Sequence, residues 1–157
     1  MTRRRARARM ALLGVVLAGA ACDLVGPGDG DAAGDLERAR QRWAGAAIDD
    51  YALTMERWCY CGLLGPVRVE VRDGLVVDRE VLEPGAPAGA LLDALYPDVE
   101  GLFEVVEDAV RRHAHRLTVV YHPTLGYPSD IDIDYAENVQ DEELAIEASL
   151  VPLGGAP

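Results

Sequence analysis

The chain has 157 residues, enough for one domain, and sets fifteen basic residues, all arginine, against twenty-seven acidic ones, for a formal net charge of −12. Five of the arginines (Arg3, Arg4, Arg5, Arg7, Arg9) fall in the first nine positions, and the ten that remain face all twenty-seven acids, leaving the body at −17. Such a surface repels phosphate backbones and excludes nucleic-acid binding, while an apolar half of the chain is too much for disorder and enough to bury a core.

Met1–Arg9 is a basic segment and Met10–Ala21 an apolar run ending in small residues, so residues 1–21 read as a signal peptide. The run is too short to span a bilayer, which takes about 20 residues. Gly19-Ala20-Ala21-Cys22 resembles the lipobox of bacterial lipoproteins, in which the Cys becomes the lipidated first residue. Ala18-Gly19-Ala20 would also serve an ordinary signal peptidase and give a soluble exported protein with an unpaired Cys22. Cysteine parity favours lipidation, because it leaves Cys59 and Cys61 as an even pair. Residues 22–35, rich in Gly, Asp and Ala, are expected to be a flexible tether, with an end-to-end distance of roughly 20 Å. The expected membrane contact is therefore the lipid, since an acidic body does not adhere to anionic headgroups.

Leu36, Ala39, Trp43 and Ala47 recur at helical spacing after Asp35, a capping residue, which predicts a helix over 36–47 with Trp43 as its core anchor. Tyr51, Leu53 and Met55 alternate with Ala52, Thr54 and Glu56, a strand running to Cys59; Gly62–Pro66 reads as a break. Val67, Val69 and Val71 form a second strand, and Asp73-Gly74 turns it into a third over Leu75–Leu82. A three-residue Arg72-Asp73-Gly74 loop would pair Val71 with Leu75 and Val69 with Val77, so that register is expected.

Residues 83–97 are rich in Pro, Gly and Ala, with one helical turn around Leu91–Leu95. Val99, Leu102, Phe103, Val106 and Val110 predict a second amphipathic helix over about Asp98–Arg112. Leu117, Val119 and Tyr121 face inward on a fourth strand, Ile131, Ile133 and Tyr135 on a fifth, and Leu144, Ile146, Ala148 and Leu150 on a sixth. The class is α+β, a six-stranded antiparallel sheet with two helices on one face, in the order α-β-β-β-α-β-β-β. Residues 36–151 make the single domain and 152–157 a disordered tail, and the repeated order suggests a structural duplication.

Trp43, Tyr51, Arg57-Trp-Cys-Tyr-Cys61, the Val67 to Gly74 hairpin, Leu102-Phe103, and Tyr121-His-Pro-Thr-Leu-Gly126-Tyr-Pro128 followed by Ile131-Asp-Ile-Asp134 carry a resemblance. Over roughly residues 36–150 the chain resembles a family of small bacterial envelope lipoproteins catalogued only as a domain of unknown function. That family usually has an acidic residue where His122 stands here. The resemblance implies export and an envelope setting, and brings no activity with it.

Cys59-x-Cys61 is the sharpest local feature, and an oxidising compartment predicts a disulfide between them as a staple. In a straight strand the two α-carbons sit near the bridging limit of about 7 Å, so closure needs a bend. Redox enzymes place C-x-x-C at the start of a helix, and thiolate metal sites need further ligands, for which His122 is the one candidate. Asp130, Asp132 and Asp134 lie on one face of the fifth strand, as a solvated outer face would, and lack the loop geometry of a calcium site. If Tyr121 pairs with Ile131, His122 faces Asp130 across the ladder. His113-x-His115 suits a helix C-terminus.

No phosphate-binding glycine loop, H-E-x-x-H or G-x-S-x-G occurs. The expected role is a lipid-anchored envelope module that binds or assembles rather than catalyses, without cofactor or metal, whose partner is an unidentified envelope protein or ligand. Its candidate surfaces are the open sheet face and a loop of Tyr121, His122, Gly126, Tyr127 and Pro128. The alternative is a thiol-redox or metal-handling protein centred on Cys59 and Cys61.

Overall fold

The structure, a computed structural model, describes residues 31–59, 62–83, 89–139 and 142–154. The chain divides into Met1–Gly30 and Asp31–Pro157, and the described residues all lie in the second. The expected signal peptide, Cys22 and most of the tether lie outside the described residues, as does Cys61. Among the described residues no helix is long and apolar enough to cross a membrane.

Helix α1 (Ala32–Ala46) begins a turn earlier than its apolar spacing predicts. Asp31, rather than Asp35, provides the cap, its carboxylate accepting the Gly34 N–H at 2.9 Å, and Asp35 becomes the acid of the first turn, where the helix dipole favours it. The helix buries Leu36, Ala39 and Trp43. Strands β1 (Tyr51–Cys59), β2 (Gly62–Arg72) and β3 (Leu75–Val81) follow, then the short helix α2 (Ala90–Leu95) and helix α3 (Val99–Arg111), then β4 (Arg116–Tyr121), β5 (Pro128–Asp134) and β6 (Glu143–Pro152). Asp98 caps α3 by accepting from Gly101 N at 3.0 Å.

The six strands form one antiparallel sheet in the order β3-β2-β1-β6-β5-β4. The α+β architecture is as expected, with β6 running to Pro152 and Leu153 N donating to Asp50 O, so the first residues of the expected tail belong to the fold. The two halves stand side by side as β3-β2-β1 and β6-β5-β4, so each lays its three strands down in the same spatial order, and β1, first of its half, pairs with β6, last of the other.

Two registers differ from expectation. Instead of a break at Gly62–Pro66, β2 begins at Gly62 and carries a bulge: Met55 pairs with Val67 but Arg57 with Leu64, so Glu56 alone stands against Gly65 and Pro66. Pro66, which has no N–H to donate, is tolerated where the ladder is interrupted. The β2–β3 turn is the two-residue Asp73-Gly74, both at positive φ (50° and 71°), as a type I′ hairpin requires. A bulge after Glu70 then absorbs Val77, so Val71 pairs with Val76 and Val69 with Arg79, leaving Leu75 and Val77 exposed. Arg79 instead turns inward, donating from Nε to Tyr96 O at 2.8 Å and from Nη1 to Asp93 at 3.0 Å. A bulge with an inward charge is a device that keeps an edge strand from pairing with another chain.

The core lies between the sheet and α1 and α3, and Trp43, Tyr51 and Tyr127 join its parts. Trp43 meets Tyr51 edge-on at 5.5 Å and Tyr127 at 6.4 Å, and its indole N–H donates to Glu100 at 3.0 Å. Tyr51 accepts the Val99 N–H on its hydroxyl at 3.2 Å, satisfying an orphan donor of the first turn of α3. Burial pushes the Tyr51 phenol up to about 12. Since an unfolded tyrosine ionises near about 10, the unfolded chain loses this proton first, and the folded state loses stability as pH rises through that window. Between pH 10 and 12 the urea midpoint should fall by the equivalent of about 2 kcal/mol from this group, and Tyr51→Phe should flatten the fall while lowering the midpoint at neutral pH.

Candidate functional site

On the helix side of the sheet, where α3 leans over the far ends of β1 and β6, lies a cavity of about 610 Å³. Pockets of roughly 300–1,000 Å³ are typical of small-molecule sites. Arg57 and Cys59 of β1 line it from the sheet, Glu104, Asp108 and Arg112 from one face of α3, and Tyr135 from the end of β5. The spacing of the α3 residues, four apart, places them on one stripe beside the buried stripe of Leu102, Phe103, Val106 and Ala109.

Arg57 follows the β1–β2 bulge, whose extra residue lies on β2; β1 itself pairs with β6 without a shift, so Arg57 continues the alternation of Tyr51, Leu53 and Met55 toward the helix side. Its Nη1 donates to Leu95 O at 3.3 Å, while its Nε is buried without a hydrogen-bond partner. Burial pulls its guanidinium below the ordinary value, though such a group stays protonated. Among the described residues every other partly buried arginine has a carboxylate: Arg40 has Glu107 at 2.7 Å, Arg68 has Glu80 at 3.8 Å, Arg72 has Glu70 at 2.9 Å and Arg79 has Asp93 at 3.0 Å. Arg40 also leaves its Nε unpartnered, but its Nη2 is paired and its guanidinium lies over Phe103. Among the described residues Arg57 has no carboxylate within ion-pair distance, in a chain with an excess of them.

The opposite wall is self-satisfied. Tyr135 donates its O–H to Asp108 at 3.3 Å, Arg112 lies over the Tyr135 ring at 3.9 Å and reaches Asp108 at 3.5 Å, and Arg111 also pairs with Asp108. Burial and the Asp108 charge raise the Tyr135 phenol. Glu104 and Glu143 lie exposed at the same cavity, neither engaged by a described arginine.

The sequence-predicted residues fall in three places. Cys59 reaches the cavity; Cys61 and Cys22 lie outside the described residues. Among the described residues no group of three His, Cys, Asp or Glu side chains could hold a metal ion. The loop after β4 packs inward: Gly126, Tyr127 and Pro128 are buried and only Pro123 and Thr124 are exposed at its tip. The Tyr127 hydroxyl accepts Leu150 N at 3.2 Å, and half-buried Tyr121 has its phenol pushed up to about 12 by burial. His122 does not face Asp130, because a bulge pairs Tyr121 with Pro128 and Val120 with Asp130; instead its Nδ1 accepts Leu125 N at 3.1 Å and its ring stacks on Tyr127 at 5.0 Å.

Asp130, Asp132 and Asp134 stand on the uncovered sheet face, Asp132 paired with Arg116 at 3.1 Å, and His113 and His115 are exposed beyond α3. On that sheet face Glu147 lies directly opposite both Glu56 and Asp130, beside a shallow depression. Arg57 was visible in the sequence only as the first letter of R-x-C-x-C. Its isolation from carboxylates is a property of three dimensions.

Residues 35–152 match a family of unknown function (DUF6174), a span that holds the whole sheet, α2, α3 and all but the first three residues of α1. The chain belongs to DUF6174. No curated protein matches it, and no solved structure does. The match covers both the DUF6174 cavity residues and the Tyr121–Pro128 loop, so the site is part of the domain and not an appendage.

Gly126 fixes that loop against α1. Its φ is +84°, and a Cβ there would lie 2.5 Å from Ala39 O and 2.8 Å from the Arg42 Cβ. Gly126→Val combines a left-handed backbone with a clash against helix backbone, and should lower the unfolding free energy by about 2–4 kcal/mol. A denaturant midpoint unchanged within error would contradict this account of the loop.

Proposed function

We propose that this protein is an exported, lipid-anchored module of the cell envelope that binds a small ligand in the Arg57 cavity and does not transform it. The observation that carries the reading is Arg57: a partly buried guanidinium, unpaired in an acidic protein, at the wall of a cavity of ligand size. Leaving a buried charge unpaired costs stability, and such costs concentrate where a ligand will supply the partner. The cavity's other groups are carboxylates, a guanidinium and a phenol, which hold charged and polar ligands. The anchor reading rests on Gly19-Ala20-Ala21-Cys22 following a basic and then an apolar segment. In that compartment a Cys59–Cys61 bond would staple the end of β1, and an oxidising setting favours a structural cysteine pair over the thiol-redox alternative.

Membrane fractions of cells expressing the full chain provide the test. Cys22→Ser should move the protein from the membrane to the soluble fraction; unchanged membrane association would overturn the anchor. The mature protein, purified in detergent and exposed to the small-molecule fraction of an envelope extract, should show a one-to-one adduct in native mass spectrometry that Arg57→Met abolishes. An extract whose components change with time only when the protein is present would overturn the non-catalytic reading, and a persistent adduct in Arg57→Met would overturn the site.

A further inference from the structure

The charges of the cavity are sorted by depth. On its sheet side stands Arg57, held by Leu95 O through Nη1, with an Nε that finds no hydrogen-bond partner among the described residues. At its rim stand Glu104, Glu142 and Glu143, all exposed, and none is within ion-pair distance of Arg57 or of Arg112. The fourth carboxylate, Asp108, is already engaged by Arg111, Arg112 and Tyr135. One cation therefore lacks an anion and three anions lack a cation around a single space, although nothing in an antiparallel sheet and a nearby helix forbids a direct pair. Exposed carboxylates gain little from closing on a guanidinium through water, so the two sets can stand apart and leave room for a ligand that meets both.

Three ligand classes differ in how they meet this arrangement. A phosphate or other dianion would satisfy Arg57 but bring two charges past three unpaired carboxylates, in a protein of net charge −12. A simple cation would be drawn to the rim and leave Arg57 unsatisfied. A molecule with one carboxylate and one ammonium meets both requirements: a carboxylate accepts from the guanidinium, which the Leu95 contact already orients, and an ammonium donates to the rim.

We propose that the cavity binds a small zwitterion, a free amino acid or a short peptide, with its carboxylate on Arg57 and its ammonium on Glu104 and its neighbours at the rim. The inference rests on the binding reading given above. The Arg112–Tyr135 stack forms the flat wall along which the rest of the ligand lies, and the volume of about 610 Å³ leaves room for more than one residue.

The mature full chain in detergent, titrated calorimetrically with alanine, dialanine, N-acetylalanine, alanine amide and inorganic phosphate, tests the inference. Alanine or dialanine should bind at least ten-fold more tightly than N-acetylalanine, alanine amide or phosphate, and whichever of the two binds better separates a free amino acid from a peptide. Arg57→Gln should abolish binding, and Glu104→Gln should weaken the zwitterion several-fold while leaving N-acetylalanine unchanged; circular dichroism of each variant checks that it folds, with Glu142→Gln as a second rim variant. N-acetylalanine or phosphate binding as tightly as dialanine would overturn the zwitterion assignment and leave the cavity as a binding site. No binding by any of the five, with the extract adduct still formed, would overturn the assignment alone; no binding and no adduct would overturn both.

Discussion

The slip in pairing at Glu56 is the constraint on which the rest of the domain turns. By setting one residue of β1 against Gly65 and Pro66 of β2, it removes a ladder bond, and the freed Gly65 carbonyl accepts the Tyr96 hydroxyl at 3.0 Å. Tyr96, fully buried, pins the turn between α2 and α3. That turn then receives both arginines from the sheet below, Arg57 on Leu95 O and Arg79 on Tyr96 O. From there α3 starts under the Tyr51 hydroxyl and beside Trp43, so the helix that roofs the cavity is aimed by the same few bonds that orient its floor.

Charge is distributed with the same economy. The sheet's uncovered face tolerates Glu147 between Glu56 and Asp130 because water screens them, and each exposed arginine pair contributes little to stability. Arg57 differs because it is partly withdrawn from water. A guanidinium that forgoes hydration without gaining a carboxylate is a net cost to the folded state, and a sequence with this many acids would have had many ways to avoid it. The neighbouring Arg79, one strand further from the centre than β2, shows the ordinary solution: a backbone carbonyl and an aspartate together.

Much of the fold was legible in the sequence because alternation and helical spacing are local. Trp43, Tyr51 and the Ile131–Ile133 pair announced the core, and Gly126 announced a left-handed position inside a rigid loop. The registers were not legible. Asp73-Gly74 could close a two- or three-residue turn, and the bulge that settles it at Val77 depends on which strand face must carry Arg79 inward. The loop after β4 was read as a presented surface because its aromatic and prolines are conspicuous, yet Tyr127 fills a slot beside Trp43 that only the position of α1 creates. Arg57 was hidden for the opposite reason: one arginine in a strand carries no local signal, and its lack of a partner appears only when four elements surround it.

The central claim is that Arg57 is held at a cost for a foreign anion. Equilibrium unfolding of the full chain and of Arg57→Met, measured by denaturant titration at neutral pH without added ligand, tests it most directly. A guanidinium awaiting a ligand should be dispensable to the empty fold, so Arg57→Met should be as stable as the parent or more stable by up to about 1–2 kcal/mol. A loss of about 3 kcal/mol or more, the size seen when a buried ion pair is broken, would show that Arg57 is a structural charge and would contradict the account.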